Sequence, residues 1–269
     1  MGKAIIRKLL DPGYSILYIL LIFLTCSCNS ENQTHHENTV FIAAAADLKF
    51  ALDSVIVNFN EEYPDLEVSV NYGSSGKFYN QIVNDAPFDI YFSADMNYPQ
   101  RLVEQGFTAG PINPYAVGRI VLWSRKFSVE DGLSILLSDE IQKVAMANPA
   151  HAPYGKRSEE ALIYFNIYDS VKSKVVLGEN IAQATQFVTS GAAEAGIIAL
   201  SLAISPSLQK EGNYYLIPEK AHTPLEQAFV VLKKAESKDS VKTFSEFVTS
   251  ETAKEILKYY GFSVPEAIL

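Results

Sequence analysis

Short apolar runs alternate with segments of helical spacing along most of this chain. Val40–Ala45 is apolar and brief, the pattern of a buried strand. Leu48, Ala51, Leu52, Val55, Ile56 and Phe59 then recur at helical spacing, with Asp47 placed as an N-cap. Val68, Val70 and Tyr72 alternate with polar residues, which predicts a half-buried strand. It runs into Gly73-Ser74-Ser75-Gly76, and a helix carrying Phe78 and Ile82 starts near Phe78. Asp89–Phe92 reads as a strand, followed by Ser93-Ala94-Asp95 and a helix through Leu102.

The pattern restarts near Asn113-Pro114-Tyr115. Ile120–Trp123 predicts a strand, Ile135–Leu137 a short helix and Val144–Ala147 a strand. Asn148-Pro149 and Pro153-Tyr154-Gly155 read as a loop before a helix over Ser158–Phe165. Ile181, Ala184, Thr185 and Val188 share a helix face, Gly196–Leu200 and Phe229–Leu232 read as strands, and helices over Val241–Val248 and Ala253–Tyr260 close the pattern. Repeated strand–helix units predict an α/β fold with parallel strands. Two lobes of similar size fit, the first drawing on both ends of the chain. A ligand cleft between them is expected at the carboxyl ends of the strands.

The first residues change the picture of location. Lys3, Arg7 and Lys8 precede an apolar run, Ile16–Leu24, which is shorter than the roughly 20 residues of a bilayer span. This is the pattern of a secretory signal peptide. Ser27 stands before Cys28, and a polar stretch, Asn29–Asn38, comes after it. The segment looks like a bacterial lipoprotein signal, with residues 1–27 removed, Cys28 lipidated and residues 28–38 a tether. Cys26 fits that pattern less well, because Leu24 and Thr25 precede it. Both cysteines lie here, so a disulfide, a cysteine nucleophile and a cysteine metal site are excluded beyond it.

Charge narrows the partners. The leader contributes +2 (Lys3, Arg7 and Lys8 against Asp11), so of the chain's −9 the remainder carries −11. That argues against nucleic acid and against an electrostatic hold on anionic lipid.

The Gly-Ser turn carries the chemistry. A strand, a Gly/Ser turn and a helix start aim free backbone N–H groups at one spot, and the helix end adds partial positive charge. This suits an oxyanion, although an ordinary capped helix start has the same residues. An acidic protein must hold such an anion with local neutral dipoles. A hydrolase is the contrasting reading: His151, Asp169 and several serines are present, but neither G-x-S-x-G nor H-E-x-x-H occurs. His151 reads as a loop hydrogen-bonder and Lys77 as a solvent-facing side chain. The aromatics Tyr72, Phe78, Tyr91 and Phe92 read as core, and Asp89 and Asp95 as helix caps that fix the cleft loop.

AAAADL (Ala43–Leu48), NYGSSGK (Asn71–Lys77), DAPFDIYFSAD (Asp85–Asp95), NPAHAPYG (Asn148–Gly155), GEN (Gly178–Asn180) with Ile181, AGIIAL (Ala195–Leu200) and KYYGF (Lys258–Phe262) occur in that order. Together they resemble the extracytoplasmic molybdate-binding proteins of ABC transporters, a branch of the type II periplasmic binding proteins, from about Val40 to Phe262. The resemblance implies a lobe of residues 39–115 plus 228–269 and a second of 116–227, with hinges near Tyr115–Val117 and Gln227–Phe229. It implies a monomer that performs no chemistry, needs no cofactor, binds molybdate or tungstate and delivers it to an importer permease. Molybdenum would be present only inside the oxyanion. The site residues carried over are Ala46 or Asp47 at the first loop, Ser75 with hydroxyl and backbone donors, Tyr154, the N–H of Ile181, and Ala199. Two positions depart from the family pattern: the first loop lacks a serine, and Ala199 stands where tyrosine is frequent. Asp47 is therefore expected to cap its own helix, and Tyr154 to supply a hydroxyl. The departures leave sulfate or phosphate as alternative anions.

Overall fold

Two five-stranded sheets carry the chain, ordered β2-β1-β3-β10-β4 and β7-β6-β8-β5-β9. The structure is a computed structural model that describes residues 37–264. The two lobes lie within the unit Val40–Leu269. The leader, Cys26, Cys28 and the tether up to His36 lie outside the described residues. Among the described residues no helix is long and apolar enough to cross a membrane.

In chain order the strands are β1 (Thr39–Ala45), β2 (Glu67–Gly73), β3 (Ile90–Ser93), β4 (Thr108–Gly118) and β5 (Ile120–Ser124). Then come β6 (Val144–Ala147), β7 (Val175–Gly178), β8 (Ala195–Ala199), β9 (Asn213–Leu216) and β10 (Leu225–Leu232). The helices are α1 (Lys49–Glu62), α2 (Ser75–Val83), α3 (Asn97–Glu104), α4 (Pro153–Tyr164) and α5 (Tyr168–Val171). They continue with α6 (Ile181–Thr189), α7 (Leu200–Ala203), α8 (Asp239–Val248) and α9 (Glu251–Tyr259).

Central strands are apolar throughout because helices cover both faces. β3, β5, β6 and β8 are buried at every residue, whereas the edge strand β2 alternates half-buried and exposed positions. Trp123, Tyr91, Phe59, Phe92 and Phe229 are among the largest fully buried side chains. Phe59 on α1 meets Phe244 on α8 edge to face at 5.0 Å, and Ser54 lies 3.0 Å from the Tyr260 hydroxyl. The closing helices thus pack beside α1 on the first sheet. The chain passes between the sheets twice, from β4 to β5 and from β9 to β10, and β4 pairs antiparallel with β10 along most of its length.

Several boundaries differ from the pattern along the chain. The supposed restart at Asn113-Pro114-Tyr115 is the interior of β4, a strand at the sheet's edge whose pairing with β10 slips near Pro114. Proline is accommodated at such an edge because a missing donor is tolerated there. α2 begins at Ser75 rather than near Phe78, since the Ser74 side chain accepts from Lys77 N–H and caps it. α4 begins at Pro153, so the predicted loop is its first turn, with proline where no N–H is needed. Val175–Gly178 and Asn213–Leu216 are strands too short for their periodicity to reveal. Asp47 does not cap α1: it sits inside a short 3-10 turn, Ala46–Leu48, and neither that turn nor α1 has a side-chain cap.

Candidate functional site

The strands deliver helix starts to one place. β1 runs parallel to β3, and β6 runs parallel to β7 and β8. Parallel strands put their carboxyl ends on one edge, and the following helices begin there. A small cavity lies among them. Ala45, Ala46, Asp47, Gly73, Ser74 and Ser75 line it from the first lobe, and Ala152, Pro153, Tyr154 and Ile181 from the second.

Its polar character comes from backbone. The first N–H groups of a helix have no intrahelical acceptor. Ser75 opens α2 and Ile181 opens α6, while the caps Ser74 and Asn180 accept from the third-residue N–H groups of Lys77 and Gln183. Pro153 has no N–H, which leaves Tyr154 as the first donor of α4. The Ser75 hydroxyl oxygen accepts from Ala94 N–H at 3.0 Å, so its hydrogen remains to be donated. No lysine, arginine or histidine is among the lining residues.

Behind this wall lies a buried polar network. The Tyr115 hydroxyl donates to Gln227 Oε1 at 2.6 Å, which fixes the amide so that Gln227 Nε2 donates to Asp47 Oδ2 at 2.7 Å. The Tyr154 hydroxyl donates to the same Asp47 oxygen at 3.0 Å, and the Ser201 hydroxyl donates to the Asp47 carbonyl at 2.8 Å. Gly118 makes this possible, because a Cβ there would collide with Tyr154 Oη and Gln227 Nε2. Burial pushes the Asp47 carboxyl up to about 6, against smaller opposing effects of the Gln227 and Tyr154 bonds. Burial also raises Tyr115 and Tyr154 well above the usual phenol range, and the Asp47 charge adds to it.

The lobes touch around the cavity. Gly76 N–H donates to the His151 carbonyl at 2.9 Å. Lys77 Nζ lies 2.7 Å from Glu179 Oε1, and His151 Nε2 contacts the same carboxylate at 2.5 Å. The Lys77 bond, more than any other contact, holds the Glu179 carboxyl below its ordinary range. Arg157 on α4 reaches Asp95, after β3, at 3.3 Å, with both side chains buried.

Of the residues singled out in sequence, Ala46, Asp47, Ser75, Tyr154 and Ile181 all line the cavity. Ala199 does not. It ends β8 and precedes α7, fully buried. Tyr154 brings its N–H to the cavity, but its hydroxyl is spent on Asp47 rather than free for a ligand. Lys77 is not simply solvent-facing, since it bridges the lobes. His151 does act as a hydrogen-bonder, through Glu179. Asp95 accepts from Asn97 N–H at the start of α3, whereas Asp89 caps no helix and instead holds Phe41 N–H and Lys238. Sequence reasoning missed Arg157, and it placed Tyr115 and Gln227 only at the hinges, not in the network around Asp47. Gln227 is 180 residues from its Asp47 partner, and no local pattern links the two.

A larger cavity belongs to the first lobe alone. Lys238, Lys242, Glu236 and Glu246 line it beside Phe229 and Val231. Its charges have both signs and no second lobe closes on it, so the smaller interlobe cavity is the better binding site.

The sequence profile described as "Bacterial extracellular solute-binding protein" matches residues 40–263. A molybdate-binding protein of Azotobacter vinelandii is 33% identical over 227 residues, covering 84% of this chain and 90% of that protein. One from Rhodobacter capsulatus is 34% identical over 196 residues, covering 72% and 77%. The solved structure of an Azotobacter vinelandii periplasmic molybdate-binding protein superposes with a TM-score of 0.79 at 29% identity, over 84% of this chain and all of that one.

Proposed function

The chain belongs to the family of bacterial extracellular solute-binding proteins, and we propose that its solute is molybdate, with tungstate bound comparably. The observation that carries the reading is the meeting of helix starts from both lobes on a cavity with no cationic side chain. A dehydrated dianion is held there by the N–H groups of Ser75, Tyr154 and Ile181, by N–H groups of the Ala46–Asp47 turn, and by the Ser75 hydroxyl. Charge-assisted bonds of this kind contribute about 1.5–3 kcal/mol each. The relatives' names support molybdate.

In this reading the protein is a monomer, anchored outside the cytoplasmic membrane by lipid on Cys28. The lobes close on the anion and the closed form docks on an importer permease. No cofactor takes part.

A second reading keeps the fold and exchanges the anion for sulfate or phosphate. It is favoured by Ala46, which lacks a hydroxyl, and by Ala199, which is not among the lining residues. Titration calorimetry of the full-length chain in detergent separates the two. One-to-one binding of molybdate and tungstate, undisturbed by excess sulfate or phosphate, is expected. Preference for sulfate or phosphate would move the substrate, and silence to all four would refute an oxyanion receptor.

A further inference from the structure

Asp47 is the one carboxylate lining the cavity, and its two oxygens are treated very differently. Oδ2 accepts from both Gln227 Nε2 and the Tyr154 hydroxyl. Oδ1 is buried and makes no hydrogen bond of good geometry, although the Asp47 and Leu48 N–H groups lie close enough to the carboxyl to favour its ionised form. An ionised Oδ1 offers only lone pairs, and beside a dianion those repel. A protonated Oδ1 offers an O–H, which the anion's oxygens accept.

We infer that Asp47 takes up one proton on Oδ1 when the oxyanion binds and donates the resulting O–H to it, so that capture is proton-linked. This rests on the reading of the cavity as the oxyanion site. The proton comes from solvent, Oδ2 keeps both of its bonds, and no covalent bond other than the new O–H changes.

The surroundings favour this outcome. Tyr154 on α4, Tyr115 on β4, Gln227 on β10 and Ser201 on α7 face Asp47 or its hydrogen-bonded partners, and all are neutral. On its own side Lys49 and Asp53 pair with each other at 3.2 Å, half-exposed, and Arg157 is taken by Asp95 and Glu160. None of the influences on the carboxyl is a cation: burial raises it, while Gln227, Tyr154 and the N–H groups of Asp47 and Leu48 lower it. Burial has already brought it to about 6. A bound dianion raises it further, because like charge disfavours ionisation.

The sign is set by linkage. Binding that raises a pKa takes up protons and weakens as pH rises. Above about pH 6 the molybdate affinity should therefore fall, approaching tenfold per pH unit, until the pKa of the complex is passed. Sequence alone placed Asp47 as a helix cap and left only backbone donors at its loop for the anion. Proton uptake gives the same residue a part in selecting the ligand, since only an anion with an unprotonated oxygen at Oδ1 gains the extra bond.

The test is calorimetry of the full-length chain with molybdate, from about pH 6 to about pH 8, in buffers of different ionisation heat. Wild-type protein should take up close to one proton per anion in the upper part of that range. Asp47→Asn should take up none and show a flat pH profile, since its amide donates without titrating. Wild-type binding with no proton uptake and constant affinity would overturn the inference and leave the receptor reading intact. The same uptake in Asp47→Asn would also overturn it. Absence of any molybdate binding would refute both. If Asp47→Asn fails to fold, the wild-type proton count decides alone.

Discussion

Replacing Gly76 by alanine puts a methyl group between the lobes. The position is in the first turn of α2 and its φ is not in the left-handed region, so alanine is allowed by the backbone. Its Cβ would stand 2.7 Å from the His151 carbonyl oxygen, 2.7 Å from Tyr98 Oη and 3.1 Å from His151 Cα. Tyr98 can swing aside. The His151 carbonyl is backbone, close ahead of α4, and it accepts the Gly76 N–H at 2.9 Å. Overpacking of this kind costs about 1–3 kcal/mol, and loss of the hydrogen bond about 0.5–1.5 kcal/mol. Both fall on the arrangement in which the lobes touch, because the first lobe relieves them by moving away. Together they come to about 2–4 kcal/mol, which lowers anion affinity about 30- to 1,000-fold. Folding should be spared, since alanine is the better helix former by about 1 kcal/mol. Calorimetric titration with molybdate and thermal unfolding without it check the two halves. An affinity within about threefold of wild type, at unchanged melting temperature, would show that the Gly76–His151 contact is not part of closure.

Other perturbations separate the remaining contributions. Ser75→Ala removes a donor to the anion and the acceptor of Ala94 N–H; affinity should fall about 10- to 100-fold and stability by about 1–3 kcal/mol, and unchanged affinity would take Ser75 out of the site. Asp47→Asn should stabilise the anion-free fold at neutral pH. The folded carboxyl titrates at about 6 rather than 3.8, so its neutral form is favoured by folding and that contribution is full below about pH 4 and lost as pH rises through 6. The loss is roughly 3 kcal/mol, and denaturant melts of both proteins at about pH 4 and about pH 7 should show the gap between them opening with pH. Glu179→Gln breaks the Lys77 and His151 contacts at the cleft mouth; anion release should quicken only modestly, with added salt erasing the difference in stopped-flow traces.

Some of the site was legible residue by residue. Backbone donors at helix starts depend on local sequence, so Ser74-Ser75-Gly76 announces itself through its cap residue and strand–turn–helix order, whereas the Ile181 N–H came from the family resemblance, the strand before it being too short to read. Ala46 and Tyr154 came from the family resemblance, and both line the cavity. Ala199 came from it too, but it is buried at the end of β8 and not among the lining residues. Asp47 shows where local reasoning stops. Next to a helical run an aspartate reads as a cap, but its carboxyl turns to Gln227 and Tyr154, on other strands and helices.

By itself the sequence determined the apolar strands, the amphipathic helices and their alternation, because burial imposes periods of two and 3.6 on residues that are neighbours in the chain. It also determined that an acidic chain must hold an anion with dipoles rather than cations. Only the tertiary structure decided which helix starts share one cavity, that the Tyr154 hydroxyl is spent on Asp47, and that Asp47 Oδ1 is buried without a hydrogen bond of good geometry. Those are contacts between residues about a hundred or more positions apart, such as Asp47 with Tyr154 and with Gln227. No local periodicity encodes them, because they come into being only when distant strands and helices, within the first sheet for Gln227 and across the two sheets for Tyr154, are brought together.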